Sequence, residues 1–483
     1  MSEGRRREVL IFAVLTVAVC SYSLMQSLVV PVLSRIQGEM HTDQSTVTWV
    51  LTSYLLAASI ATPILGRLGD AIGKRKVLVA SLLLLCLGSV VAALAPSIQW
   101  LIAARVIQGL GGGVVPLAFG IVRDRFGDRT TGALSVLSSL TAVGFATGMV
   151  IAGPIVDGLG YSWLFWLPAI ITLIAALAAA VLVPESTVRM PGGLPILPGL
   201  FLTGCLVALL LAVSQGNAWG WMTGRVIGLF VAAAVFGVAW VRSELVVSTP
   251  MVDMRMMAQR GVWTTNVAAA FVGFGLYASM GFMPQFLQTP ESAGYGFGAT
   301  ITESGQMLVP TALATFAMGF TTSFWIRRVG ARATVAGGTL VSATSFAFIA
   351  LFHDEVWQVV LAMAVQGLGT GLVFAALAGI VLACVPANQA GVASGMNANI
   401  RTIGGSIGAA VMGGVVTAHL ATDGLPYEHG YEVAFWLLAA SMLAAAIVAW
   451  WMPDIRRQPT ESRLTDADNA ELGLIAAAPA QGR

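Results

Sequence analysis

Two arginines stand where an arginine is expensive. Arg105 and Arg401 each fall inside a long apolar run, and a guanidinium stays charged there, so each must face a cavity or a partner. Gln108 follows Arg105 by three residues and shares its helix face. Asn397 lies one turn before Arg401. Hydrogen bonding to backbone carbonyls is the purely structural use of such residues. Acids are placed differently. Of 23 Asp and Glu, none falls in the middle of an apolar run; Asp157 and Glu432 sit at run ends. Glu303 lies just inside one run and is the best proton acceptor at membrane depth, since desolvation there would raise its pKa. Thr300-Ile-Thr-Glu303 also has capping-box spacing, so a helix cap is the alternative. A third cluster is Gly66-Arg-Leu-Gly-Asp70-Ala-Ile-Gly73-Lys74-Arg75-Lys76. It joins two apolar runs, and its one acid, Asp70, suits a partnership with a charge or a helix end.

These groups need a membrane scaffold. The chain has 483 residues, 57% hydrophobic and only 10% charged, against about a quarter charged in soluble domains. Fourteen apolar spans are expected, near 10–33, 47–65, 77–95, 98–121, 133–156, 163–183, 195–214, 224–241, 262–287, 302–326, 333–352, 356–383, 393–418 and 432–452. Each approaches the ~20 residues that cross a bilayer as a helix. With the amino terminus inside, only Arg35 and Arg225 of the 25 Lys and Arg fall outside, Arg105 and Arg401 lie within spans, and the other 21 are inside. That bias sets both termini on the cytoplasmic side. A net charge of +2 gives no case for nucleic acid. Cys20, Cys86, Cys205 and Cys384 lie in apolar runs without metal or disulfide spacing, and are read as packing residues. The first run is too long for a cleaved signal core. No nucleophile–base set, metal cluster or phosphate loop supports an enzyme or a cofactor.

The chain repeats itself. Ile107-Gln-Gly-Leu-Gly-Gly-Gly113 recurs as Val365-Gln-Gly-Leu-Gly-Thr-Gly371, and the basic loop recurs weakly at Arg327-Arg-Val-Gly-Ala-Arg332, with Arg327 in place of Asp70. The offset spans eight runs, so two runs are inserted between six-run halves. The expected plan is a cytoplasmic amino terminus (1–8), a first bundle (9–185), two inserted helices (186–242), a cytoplasmic linker (243–261), a second bundle (262–452) and a disordered cytoplasmic tail (453–483). Tyr22 and Gln26 share a face of the first run. With Gln108, Asn266, Tyr277, Gln285, Asn397 and Arg401 they are candidate cavity residues. Nineteen Met and 21 Phe offer an adaptable apolar wall. Gly144 and Gly148, four apart, permit close helix approach, and Pro154 can bend its helix.

The order G-x-L-x-D-x-x-G-K-R around Asp70 resembles the loop signature of the major facilitator superfamily. Leu101-x-x-x-Arg105-x-x-Gln108-Gly109-x-Gly111 resembles its fourth-span antiporter signature. Arg401-x-x-Gly404-Gly405-x-x-Gly408 resembles a run of its fourteen-span drug:proton antiporters. Gly144, Gly148, Gly153 and Pro154 keep part of the exporter signature of span five; Met149 stands where its proline belongs. In span one, Tyr22 stands where such exporters usually have an acid. The resemblance implies an all-α major facilitator fold with 14 transmembrane helices as 6+2+6, in the bacterial inner membrane. It implies a monomeric exporter of small hydrophobic or cationic compounds, exchanged for protons by alternating access. Gly66, Asp70, Gly73, Lys74 and Arg75 would form the gate, Arg105 and Glu303 would couple protons, and Gly144, Gly148, Gly153 and Pro154 would act as a hinge. Alternatives are a carrier of one endogenous metabolite, an uncoupled facilitator, or a non-transporting membrane sensor.

Overall fold

A computed structural model describes residues 3–127, 130–186, 196–248, 250, 252–385, 390–418 and 425–454. The tail expected from 453 onward lies outside the described residues apart from Pro453 and Asp454. The described chain is helical, with no strand among the described residues. In lipid every backbone N–H and C=O must be paired within its own segment, and a helix does this. The first half comprises α1 (Glu3–Leu28), α2 (Leu33–Glu39), α3 (Gln44–Ile72), α4 (Lys74–Ala93), α5 (Ile98–Leu110), α6 (Val114–Phe126), α7 (Thr130–Leu159) and α8 (Trp163–Leu182). Then come α9 (Ile196–Trp219), α10 (Gly224–Val246) and the short α11 (Met254–Met257). The second half comprises α12 (Arg260–Gln288), α13 (Ile301–Met307), α14 (Val309–Val329), α15 (Ala331–Leu351), α16 (Val356–Cys384), α17 (Ala390–Val416) and α18 (Glu428–Ala449).

Every expected span falls on a helix, or on two helices in succession. Eleven rods among the described residues are long and apolar enough to cross a membrane. The expected fourth span is broken into α5 and α6 at Gly111–Gly113, and the tenth into α13 and α14 ahead of Pro310. The first is interrupted by a 3-10 turn, Val30–Val32, holding Pro31. Proline at a helix start lacks only an N–H that has no partner there.

The halves are built alike. In the first, α1 packs on α7 and α8, α3 on α5, and α4 on α5 and α8; in the second, α12 packs on α17 and α18, α14 on α16, and α15 on α16 and α18. The repeated glycines explain the close pairs. A Cβ at Gly109 would lie 2.6 Å from the Tyr54 carbonyl oxygen, and one at Gly367 would lie 2.3 Å from that of Thr311. Likewise Gly111 abuts the Ser81 carbonyl and Gly369 the Gly338 carbonyl. Each pair of equivalents is 257 or 258 residues apart, so the duplication reaches atomic contacts. The halves meet along two seams, α3 with α17 and α7 with α13 and α14. Helix α9 packs on α10 and also lies against both α3 and α17. Leu202 and Leu206 of α9 join Leu56, Ile60 and Ile64 of α3, and Met396, Ile400 and Ile403 of α17, in one apolar cluster.

Candidate functional site

The glycine-rich basic stretch is hardly a loop at all. Helix α3 runs on through Asp70 to Ile72, α4 begins at Lys74, and only Gly73 turns the chain, with φ +119°. A side chain there would be strained by the backbone, and its Cβ would come within 2.5 Å of the Glu185 carboxylate. That carboxylate accepts from the Arg75 N–H at 3.2 Å and pairs with Arg75 Nε at 3.6 Å, which answers the bare amino end of α4. Lys74 is buried between two acids, with Nζ 3.2 Å from Asp70 Oδ1 and 2.7 Å from Asp124 Oδ2. Ser186 donates to the same Asp124 oxygen at 2.6 Å. Gly66 and Gly395 both close on Pro116, bringing the last turns of α3 and the first turn of α6 to the start of α17. Asp124 and Glu185 were missed in the sequence. The Arg123-Asp124-Arg125 alternation is a visible signal for the first; Glu185 reaches Arg75 only through folding.

The second half repeats this turn. Gly330 has φ +88°, and its Cβ would meet Asp454 Oδ1 at 2.2 Å. Glu185 and Asp454 each follow the last helix of their half. Both therefore place a carboxylate on the glycine that starts the third span of that half, α4 or α15.

Deep in the first half, Arg105 is fully buried. Its Nε donates to the Val50 carbonyl at 2.9 Å and one terminal nitrogen to Gln108 Oε1 at 2.7 Å. Gln108 passes the chain on to Ser89 Oγ at 2.9 Å, and Ser89 donates to the Leu85 carbonyl. The guanidinium also stacks 4.3 Å from the centroid of the Tyr54 ring, a favourable cation–π placement. Tyr54 lies beside Tyr22, with ring centroids 6.3 Å apart. Tyr277 of α12 packs onto this first-half cluster, its ring edge-on to Phe145 at 6.2 Å. Three phenols from three helices and both halves therefore converge in front of Arg105. Tyr54 was missed because nothing in its local sequence marks it; only the packing of α3 on α5 brings it over the guanidinium. Gln26 is buried one turn from Tyr22.

The Arg401 run is a helix contact. A Cβ at Gly404 would sit 2.1 Å from the Ala270 carbonyl oxygen, one at Gly408 2.5 Å from that of Phe274, and one at Gly405 against the Tyr277 ring. Arg401 itself stacks over Phe374 at 4.3 Å. Asn397 does not open onto space: its Nδ2 donates to Asn266 Oδ1 at 3.0 Å, so these two cavity candidates bind each other. Gln285 lines a cavity of about 30 Å³ with Thr48, Leu51, Phe282, Met412 and Thr417, between α3, α12 and α17.

On the face opposite the basic stretch the halves are stitched together. Gln288 Nε2 donates to the Pro31 carbonyl at 2.8 Å, and Thr302 Oγ1 to Asp157 Oδ2 at 2.6 Å. Gly153 abuts Thr302 and Gly305 abuts the Met149 carbonyl, across the α7–α13 seam. Gly144 and Gly148 instead pack against α1 within their own half, and α7 continues through Pro154 to Leu159. The rise by desolvation expected of Glu303 is outweighed. Its side chain is exposed in the first turn of α13, ahead of the apolar α14, and accepts from the Thr300 N–H at 2.8 Å and hydroxyl at 2.9 Å. Those two donors hold its carboxyl below the usual value. Both halves of a capping box are present.

A model of the Major Facilitator Superfamily matches residues 15–255 and 265–479. The chain is 27% identical over 435 residues to the multidrug transporter protein MdtP of Bacillus subtilis, covering 88% of this chain and 79% of the relative. It is 29% identical over 419 residues to a multidrug resistance protein B homolog of Mycobacterium tuberculosis, covering 83% and 76%. The crystal structure of the human organic anion transporter MFSD10 superposes with a TM-score of 0.64, at 15% identity, over 93% of this chain and all of that one; at that identity the likeness concerns the fold alone. With both of its duplicated halves inside the family match, the chain belongs to the Major Facilitator Superfamily and is a multi-pass membrane transporter.

Proposed function

We propose that this transporter exports hydrophobic compounds across the bacterial cytoplasmic membrane, as a monomer with fourteen spans in a 6+2+6 plan and both termini inside. The observation that carries the reading is the convergence of Tyr22, Tyr54 and Tyr277, from both halves, in front of the buried Arg105, with the opposite face stitched shut. Such a centre serves alternating access, in which the halves rock about one site. Asp70, Gly73, Lys74 and Arg75 latch the cytoplasmic gate, where α3, α6 and α17 come together. Names of relatives such as the multidrug transporter of Bacillus subtilis support a drug-type cargo. The proton-motive force supplies the energy. Under proton antiport Arg105, whose guanidinium stays charged, serves as the fixed buried charge of the centre rather than as the proton carrier, and Glu303 is left as a helix cap. One observation favours a second mode, carriage without proton exchange: among the described residues no carboxylate lies mid-span.

The test is accumulation of a fluorescent hydrophobic compound in inside-out vesicles, with lumenal pH and potential recorded. Uptake with loss of lumenal acid establishes proton antiport. Uptake that follows the potential alone establishes the second mode. No uptake over a panel of cationic, neutral and anionic compounds refutes the exporter reading.

A further inference from the structure

Arg105 and Arg401 bring two positive charges into the bundle, and among the described residues no acid pairs with either. Arg105 spends its contacts on the Val50 carbonyl, Gln108 and the Tyr54 ring; among the described residues its Nη2 has no hydrogen-bond partner. Arg401 lies over the Phe374 face, and among the described residues its Nε is buried without a hydrogen-bond partner. The Gln26 side-chain amide nitrogen, one turn from Tyr22, is likewise buried without a partner among the described residues. Each of these three unanswered atoms is a donor. A buried donor left unmade costs more than a made one gains, and a buried charge costs more still. The phenols of Tyr22, Tyr54 and Tyr277 add hydroxyls that can donate. The acids of the described chain lie elsewhere, at helix ends: Asp70, Asp124 and Glu185 near the basic stretch, Asp157 and Glu303 at the other face.

Tyr277 bridges the helices that carry the two arginines. It packs on the apolar cluster that holds Tyr22 and Tyr54, and its ring rests on Gly405, one turn along α17 from Arg401. Phe145 stands edge-on to it. The centre is therefore apolar and aromatic in its walls, positive in charge and rich in unused donors.

We infer that this centre binds an amphipathic organic anion: an aromatic or apolar body bearing one carboxylate, sulfonate or enolate group. Arg401 and Tyr277 contact the acidic group, and Arg105 acts from behind Tyr54 as a positioning charge. The resemblance in sequence also allows cationic cargo, but a cation here would meet two arginines and no counter-charge. An anion also needs no carboxylate to power its exit. The inside-negative potential favours its outward movement roughly fifty-fold per 100 mV for each charge. The direction of movement rests on the exporter reading above; the charge preference does not.

Binding separates the two. The full-length chain, purified in detergent, is titrated with pyrenebutyrate and with pyrenebutylammonium, which share one aromatic body and carry opposite charges, and binding is read by fluorescence anisotropy. The butyrate is expected to bind at least about tenfold tighter, the worth of one modest charge contact. Arg401→Gln should remove about tenfold from the butyrate and nothing from the ammonium, Arg401→Lys should keep most of the preference, and Tyr277→Phe should weaken the butyrate about threefold. Equal or tighter binding of the ammonium by the native chain overturns the proposal. So does an Arg401→Gln variant that weakens both probes alike. Should that variant not fold, unchanged butyrate binding in Tyr277→Phe overturns it instead. A butyrate preference alongside failed vesicle uptake would refute export and leave the anion site standing.

Discussion

Lys74→Met isolates the electrostatics of the basic-face knot. Lys74 is 3% exposed, and its stem fills the gap over Gly120, where a Cβ would meet Lys74 Cε at 2.7 Å. Methionine keeps most of that stem, so the loss is electrical. Two carboxylates are then left facing each other, with side chains 12% exposed for Asp70 and 6% for Asp124. Stranding one member of a buried pair costs about 3–5 kcal/mol. Ser186 still donates to Asp124, the Arg123 guanidinium still lies 3.4 Å from its other oxygen, and Asp70 keeps some water, so the low end, about 3 kcal/mol, is expected. At 2–4 °C per kcal/mol, typical of a unit the size of one half, the melting temperature should fall by about 6 °C or more. The assay is tryptophan-monitored thermal unfolding of the purified chain. Neutralising the nearer acid as well, in Lys74→Met/Asp124→Asn, should restore at least half of the loss. Lys74→Met/Asp70→Asn should restore less, because Asp70 is farther away and wetter. An unchanged melting temperature in Lys74→Met, or the reverse order of rescue, refutes the reasoning.

Three further outcomes are expected. Asp70→Asn should abolish vesicle uptake while leaving membrane insertion intact, by immunoblot of membranes; full uptake would remove Asp70 from the latch. Gly404→Ala should lower the melting temperature and uptake together, because its Cβ would fall 2.1 Å from the Ala270 carbonyl and α12 and α17 must part; normal behaviour in both would mean the run is not a packing seam. Glu303→Gln should leave uptake at neutral pH unchanged and remove one pH-dependent contribution to stability. The folded carboxyl value is depressed, so the native contribution is present above the ordinary carboxyl range and fades as pH falls through the lowered value. Native and variant melting temperatures should differ near neutrality and converge in acid. A loss of uptake would return Glu303 to proton coupling.

Much of the fold was legible because lipid leaves a chain few choices. Long apolar runs must become helices, and the Gln108-Gly-Leu-Gly and Gln366-Gly-Leu-Gly repeats already marked two halves. Their glycines recur with the same carbonyl neighbours in each half because close helix approach demands a missing side chain at equivalent places. The capping-box spacing at Thr300–Glu303 likewise gave the local geometry, since a cap involves only neighbours in sequence. Long-range partnerships were not readable. Asp70 was visible as an acid among cations, but its place across Lys74 from Asp124 depends on α6 packing against α4. Glu185 and Asp454, far from Gly73 and Gly330 in sequence, answer those turns only once the last helix of each half has returned. Arg105 could be named from its run, but whether it met an acid, a carbonyl or a ring was decided by α3, which delivers the Val50 carbonyl and the Tyr54 face. A sequence states which charges must be buried; tertiary structure alone decides which are answered, because burial desolvates a group whatever its neighbours are, while pairing requires one particular atom to arrive.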